Sequence, residues 1–229
     1  MKILALILAL ALLPTTVRAQ DVDAVILTGV DVSGSINATE IALQLDGLAI
    51  AMQSGQIQSA IRHGRRKQIG FAVYLWADSG CPLVVEWRVI ASPEDAARIK
   101  PEIEARMAEA MAQAAKSSLT DLSKAMECGG GIIAAAPFNA DRAVLNIVTN
   151  GRDNVGPEGE PGIVRQALQA QRIHINAIAL PGGESIATLA PYLTAYVASP
   201  IGFVLAVSAA EHLTDAWRRK FLGDIAMVQ

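Results

Sequence analysis

Apolar positions along this chain fall into two alternating patterns. Short, continuous, largely β-branched runs bounded by polar turns occupy residues 25–31, 68–76, 82–89, 142–148, 173–180 and 202–207. Runs of that length, with no polar residue at every second position, are how strands covered on both faces read. Between them the apolar residues recur at intervals of three and four. Ile41, Ala42, Leu45, Leu48, Ala49 and Met52 predict an amphipathic helix over 37–52, with Asn37 or Thr39 able to cap it. Ser92-Pro93-Glu94-Asp95 combines a capping serine, a proline at the first helical position and acids in the first turn, so a helix starts there and runs to about residue 116. Residues 117–121 interrupt that pattern, and it resumes through Leu122, Ala125 and Met126. Further helices are predicted over 163–171 and 186–193. A last one is opened by the capping box Ser208-Ala209-Ala210-Glu211 and carries Leu213, Trp217, Phe221 and Leu222 on one face.

Strands alternating with helices predict an α/β fold: a doubly wound, mostly parallel sheet with helices on both faces. The connection Ala77-Asp78-Ser79-Gly80 is too short for a crossover, so the second and third strands form a hairpin and give the sheet one antiparallel edge strand. No repeat or linker divides residues 20–229, which read as one domain. Ahead of it, Lys2, the apolar run 3–13, Pro14 and Val17-Arg18-Ala19 have the layout of a secretory signal peptide over 1–19. The chain is therefore expected to be exported, periplasmic or secreted. No later apolar run has spanning length, so no membrane insertion of the mature chain is expected.

Charge narrows the partners. Removal of Lys2 and Arg18 with the leader moves the formal charge from -3 to -5, which argues against nucleic acid and anionic membrane surfaces. The cluster His63, Arg65, Arg66, Lys67 has no interleaved aromatics and reads as a solvated helix end and loop. Cys81 and Cys128 are the two cysteines of a chain headed for an oxidising compartment. A disulfide between them and a buried, unpaired Cys128 are both compatible with the sequence.

Three stretches carry candidate chemistry. The first apolar run stops at Asp31-Val32-Ser33-Gly34-Ser35, where a carboxylate and two hydroxyls stand at alternate positions past a strand end. Such oxygens suit Mg2+, Mn2+ or Ca2+ rather than zinc or copper, although Asp and Ser are also ordinary turn and capping residues. Thr120 precedes a helix and can either cap it or offer its hydroxyl to a cation. The strand ending at Val148 runs into Thr149-Asn150-Gly151-Arg152-Asp153-Asn154, polar residues at the sheet edge where ligands bind in open parallel folds. No nucleophile elbow or phosphate-binding glycine loop is present, and His63, His174 and His212 lack metal-ligand spacing, so no enzyme activity is expected. Cys128-Gly129-Gly130-Gly131 follows a helical pattern and reads as a helix end.

Taken together, Asp31-Val32-Ser33-Gly34-Ser35, Thr120 and the Asn150-Gly151 turn resemble the three loops of a von Willebrand factor type A domain. That domain's metal-ion-dependent adhesion site uses Asp-x-Ser-x-Ser, a Thr and an Asp. The details are similar to a family of secreted bacterial proteins with this domain and no assigned function. They include Leu43-Gln44-Leu45-Asp46-Gly47, Trp76 and Trp87 around the hairpin, Ile173-His174-Ile175-Asn176-Ala177-Ile178, and the ending from Arg218 to Ala226. The resemblance implies that Ser33 and Ser35 ligate a cation directly, Thr120 directly or through water, and Asp31 through water. Asn150 stands where the family carries Asp, which keeps an oxygen but removes one negative charge.

With Asp31 the only carboxylate, affinity for Mg2+, Mn2+ or Ca2+ is expected to be weak or lost, unless Asp121 or Asp153 turns inward. The function the resemblance implies is an exported binding module whose metal meets an Asp or Glu of a protein partner. A metal-free interaction domain with a decayed site is the alternative, with a metal-assisted hydrolase behind it. Nothing in the sequence speaks to oligomeric state.

Overall fold

A computed structural model describes residues 19–114, 119–209 and 212–226. The proposed leader over 1–19 falls, apart from Ala19, outside the described residues, as do the second half of the Ser208–Glu211 capping box and the first two residues of the 117–121 interruption. The strands are β1 (Gln20–Val22), β2 (Val25–Asp31), β3 (Ile69–Trp76), β4 (Leu83–Ile90), β5 (Phe138–Ala140), β6 (Ala143–Thr149), β7 (Ile173–Ala179) and β8 (Val204–Ala206). The helices are α1 (Ala38–Met52), α2 (Gly55–His63), α3 (Pro93–Ala97), α4 (Ile99–Ala114), α5 (Leu122–Ala134), α6 (Glu160–Ala170), α7 (Ile186–Tyr196) and α8 (Leu213–Ala226).

Six strands form one sheet in the order β4-β3-β2-β6-β7-β8, parallel except for the antiparallel β3–β4 pair at one edge. This is the expected mostly parallel, doubly wound α/β architecture. All seven residues of β2 and all eight of β3 are buried, which accounts for their unbroken apolar runs. One core layer lies under α1 and α8 and includes Ile26, Leu45, Leu48, Phe71, Trp217 and Phe221. The other lies under α5, α6 and α7 and includes Leu27, Tyr74, Met126, Leu145, Ile175 and Leu193.

Several elements depart from the sequence reading. A second, two-stranded sheet pairs β1 with β5, and α2 precedes β3; neither was expected. The arginines after α2 are tied to them. Arg65 and Arg66 both reach Asp141, the Arg66 guanidinium donates to Val22 O at 3.0 Å, and Asp23 accepts from Arg66 N at 2.8 Å. The long helix expected from residue 93 is split at Arg98. Pro101 stands in the first turn of α4, where it can accept no continuing helix from Ala97 because it lacks an N–H and its ring crowds that carbonyl.

The triple glycine also does not end its helix. α5 runs through Gly129, Gly130 and Gly131 to Ala134. A Cβ at Gly129 would lie 2.6 Å from a Leu145 methyl, and one at Gly130 would lie 2.4 Å from Leu168, so the glycines let α5 press onto β6 and α6. Tyr74 crosses Gly29 beneath it and donates to Ala125 O at 2.7 Å. Cys81 and Cys128 are joined in a disulfide with Cα atoms 6.2 Å apart, which fastens the hairpin connection to the middle of α5.

α8 brings a charge pair into the core. Lys220 and Asp224 are both fully buried and paired one turn apart. Asp224 also accepts from Asn146 at 2.9 Å and Asn176 at 3.0 Å, and the Lys220 ammonium stands 4.7 Å from the centre of the Phe203 ring. Burial pushes the Lys220 amine below its ordinary value, and Asp224 opposes that shift. Losing one partner strands a buried charge, so Lys220→Met is expected to lower unfolding free energy by about 3–5 kcal/mol in urea titrations. Adding Asp224→Leu should recover part of that loss. Additivity of the two substitutions within about 0.5 kcal/mol would show that the pair does not act as a unit.

Candidate metal centre

Strand order reverses between β2 and β6: from β2 the chain crosses to β3 on one side, and from β6 it crosses to β7 on the other. The carboxyl ends of these two central strands therefore open a crevice, which is where this class of sheet binds ligands. Asp31 is the last residue of β2, and Thr149 the last of β6. Past Asp31 the chain turns tightly, with Ile36 N donating to Ser33 O at 3.0 Å, before Asn37 caps α1. Asn37 accepts from Glu40 N, and Glu40 returns the contact to Asn37 N at 2.9 Å.

The Asp31 carboxylate is fully buried and held at both oxygens. Ser33 N donates to Oδ1 at 2.7 Å, and Thr149 Oγ1 donates to Oδ2 at 2.7 Å. Burial pushes its pKa up, and the hydrogen bonds from Ser33 and Thr149 work against that rise. Thr149 in turn accepts from Gly151 N at 3.1 Å, so one side chain ties the β2 carboxylate to the β6 turn.

Above the carboxylate, side chains from three loops meet in an arc. Thr120 Oγ1 lies 3.2 Å from Ser33 Oγ, Ser33 Oγ lies 3.3 Å from Ser35 Oγ, and Ser35 Oγ lies 2.8 Å from Asn150 Oδ1. The asparagine oxygen can only accept, so Ser35 gives its proton to Asn150 and Thr120 gives its proton to Ser33, while the Ser33 proton has both Ser35 and the Asp31 carboxylate within reach. That arrangement leaves lone pairs on all three hydroxyl oxygens. Ser33, Thr120 and Asn150 are buried, whereas Gly34 and Ser35 face solvent, so the arc is entered from the Ser35 side.

All five residues singled out by sequence thus meet. Their donor set fits a hard divalent cation: a carboxylate, hydroxyls and an amide oxygen, with no sulfur or imidazole. The hydroxyl spacings of 3.2 and 3.3 Å fall within the about 3.0–3.4 Å that separates neighbouring ligands on an ion with bonds of about 2.1–2.4 Å. Charge is scarce, however. Among the described residues no group of three or more His, Cys, Asp or Glu side chains is placed to hold a metal.

Neither nearby acid makes up the deficit. Asp121 caps α5 by accepting from Lys124 N at 2.7 Å. Asp153 turns to the same helix end and accepts from Leu122 N at 2.8 Å and Ser123 N at 3.3 Å, while its other oxygen takes Val155 N and Gly156 N. Asn154 completes the seat, accepting from Thr120 N at 2.8 Å and donating its backbone N–H to Thr120 O at 3.0 Å. Thr149 and Asn154 are thus positioning residues that sequence reading left unassigned, and Asp153, considered there as a compensating acid, is a third. Their signal was the polar string after β6, in which all three stand within six residues.

Asn150 uses both ends of its amide on one residue. Its oxygen accepts from the Ser35 hydroxyl, and its nitrogen donates to Ser35 O at 3.2 Å. Its own carbonyl accepts from Glu184 N at 2.8 Å, and the Gly183 backbone lies so close that a Cβ there would meet Asn150 O at 2.4 Å. Arg152, two residues on, pairs with Glu184 and stacks 5.2 Å from the centre of the Tyr192 ring.

A family model described as Protein of unknown function (DUF1194) matches residues 21–229. No curated protein matches the chain. Among solved structures, proximal thread matrix protein 1 from the mussel byssus, with a zinc-occupied MIDAS motif, aligns with a TM-score of 0.64 at 19% identity over 90% of this chain and 48% of that one. A von Willebrand factor type A structure from Catenulispora acidiphila gives 0.60 at 15% identity over 90% and 43%. The von Willebrand factor domain of the type V pili tip protein Mfa5 from Porphyromonas gingivalis gives 0.59 at 10% identity over 92% and 98%. The chain spans about half the length of the first two. At these identities the likeness shows the fold, which is that of a von Willebrand factor type A domain.

Asp153 holds the end of α5 that carries Thr120, so Asp153→Ala is expected to cost about 1–2 kcal/mol in thermal or chemical unfolding and to raise amide exchange at Leu122 and Ser123. Unchanged exchange at those two amides would contradict this assignment.

Proposed function

We propose, for a chain that belongs to the DUF1194 family of proteins of unknown function, that the cluster above β2 and β6 holds a divalent cation and presents it to an acidic side chain of a protein partner. The observation that carries this reading is the hydroxyl arc: oxygens of Ser33, Ser35 and Thr120, from loops far apart in sequence, stand at ligand spacing over a buried carboxylate. Ser33, Ser35 and Thr120 would hold the ion, with Asp31 and Asn150 behind them. Mg2+ or Mn2+, or Ca2+, is the expected metal. When bound, it supplies the positive charge that a partner's Asp or Glu meets.

Asp31 is the only acid within the cluster, so the protein neutralises only about half of a divalent charge, and a carboxylate from outside completes the site. Asp121 and Asp153 are committed to the end of α5, so neither is free to serve as a base on a bound water. That chemistry favours a binding module over an enzyme. The Cys81–Cys128 disulfide supports an exported protein, periplasmic or secreted, because such bonds persist in oxidising compartments. Among the described residues no helix is long and apolar enough to cross a membrane.

One observation favours a second reading, a metal-free interaction domain. The amide of Asn150 already grips Ser35 through two hydrogen bonds, so the first and third loops are joined without an ion. Asp at that position could not donate to Ser35 O.

Calorimetric titration of chelator-stripped protein with Mg2+ and Mn2+ separates the two. The wild type is expected to bind weakly, Asp31→Ala to lose binding, and Asn150→Asp to bind at least about tenfold more tightly, as one added ligand charge implies. Without metal, Asn150→Asp should unfold earlier than the wild type, by about 1 kcal/mol for the lost donor, and recover when metal is added. A silent wild type beside a binding Asn150→Asp would overturn the metal-dependent reading in favour of the second.

A further inference from the structure

A pocket lies directly beside the cluster, between the start of α1, the start of α8 and the chain after β7, with Asn150 on its inner wall. Its cavity volume is about 40 Å3, and it is open to solvent on one side. Ile36, Leu43, Leu180 and Leu213 make its walls apolar, and Leu43 is 46% exposed at the rim.

Besides Asn150, two polar groups break that apolar lining. Gln44 is 1% exposed, and its Oε1 is buried with no hydrogen-bond partner. The residue is fixed in place, because its backbone carbonyl accepts from Trp217 Nε1 at 3.0 Å. A buried carbonyl oxygen left unpaired is costly, and a ligand that donates to it removes that cost. Glu40 stands on the same lining, one turn earlier on α1. Its Oε2 takes Asn37 N, and among the described residues no cation pairs with it. An apolar sleeve, lined in part by a glutamine whose buried oxygen is unpaired and flanked by an uncompensated carboxylate, complements an aliphatic stem that ends in a charged nitrogen, which reaches that oxygen once the Gln44 side chain rotates toward it.

We propose that this pocket binds a lysine-type side chain, an alkyl stem with a terminal ammonium, of the partner segment that approaches the cluster. The stem lies against Leu43, Leu180 and Leu213, and the nitrogen donates to Gln44 Oε1 and balances Glu40. The shared wall at Asn150 places the ammonium next to the position proposed for the partner's acid. The partner surface is therefore an acid and a lysine side by side rather than an acid alone. That last step rests on the metal-dependent reading; the pocket's preference for an alkylammonium does not.

The test uses n-butylammonium as the probe, with 1-butanol as its neutral counterpart, in backbone-amide NMR titrations of the whole domain with chelator present and sodium chloride held constant. Saturable shifts are expected at Leu43, Gln44 and Leu180. Glu40→Gln, which keeps the α1 capping box, should weaken n-butylammonium about fivefold, the effect of one partly exposed charge. It should leave 1-butanol unchanged, and Gln44→Leu should abolish the n-butylammonium response. Shifts that do not saturate by about 100 mM, or equal affinity of wild type and Glu40→Gln for n-butylammonium, would overturn the proposal. If Gln44→Leu does not fold, the Glu40→Gln comparison decides alone. Because metal is absent throughout, a negative result leaves the metal-dependent reading standing, and a silent metal titration leaves this result standing.

Discussion

A single buried carboxylate organises the functional end of this domain. Asp31 sits at the tip of the central strand, without solvent, and remains tolerable there because Ser33 N and the Thr149 hydroxyl each satisfy one of its oxygens. Those same two bonds set the geometry of everything above. The first folds the Ser33–Ser35 turn back over the strand end, and the second fastens the neighbouring β6 turn to it. Thr120 then completes the arc from the side, held by Asn154 and by the Asp153 cap on α5. The loops converge because a buried charge must be paired, so the cluster forms before any ligand arrives.

What the cluster lacks is charge. Asn150 gives the site an internal lock, two hydrogen bonds to Ser35, in place of a second carboxylate. The lock joins the first and third loops without an ion. Support from below is firm. α5 is pressed onto β6 through Gly129, bonded to Tyr74 through Ala125 O, and joined to the hairpin connection by the Cys81–Cys128 disulfide. In the loop-closure model, a bridge spanning 47 residues contributes about 4 kcal/mol by restricting the unfolded chain.

Much of the fold could be read from apolar spacing, because β2, β3, β6 and β7 are covered on both faces and cannot tolerate polar interruptions. The elements that escaped notice are those in which side chains do not report backbone state. Gln20-Asp21-Val22 and Phe138-Asn139-Ala140 are only three residues each, too short to show a period, and α2 buries only Ile57, Gln58 and Ile61. Gly129 to Gly131 read as a helix end because local propensity favours one. Close packing against Leu145 and Leu168 overrides it. At the site, the Asp31 loop could be recognised from residue types alone, whereas the meeting of Thr120 and Asn150 with it came from family likeness. The role of Asp153 could not be read, since an acid near a helix start looks the same whether it faces an ion or caps backbone amides. Its distances to Leu122 N and Ser123 N settle that it caps.

The central claim is that the three loops surround one cation position at the top of the sheet. Paramagnetic broadening by substoichiometric Mn2+ in backbone-amide NMR spectra tests it most directly. The account predicts that signals of Ser33, Ser35, Thr120 and Gly151 broaden first and together, while those of Gly64 and Asp141, at the opposite end of the strands, persist. Broadening centred on any other part of the surface, or none at the three loops, would contradict it.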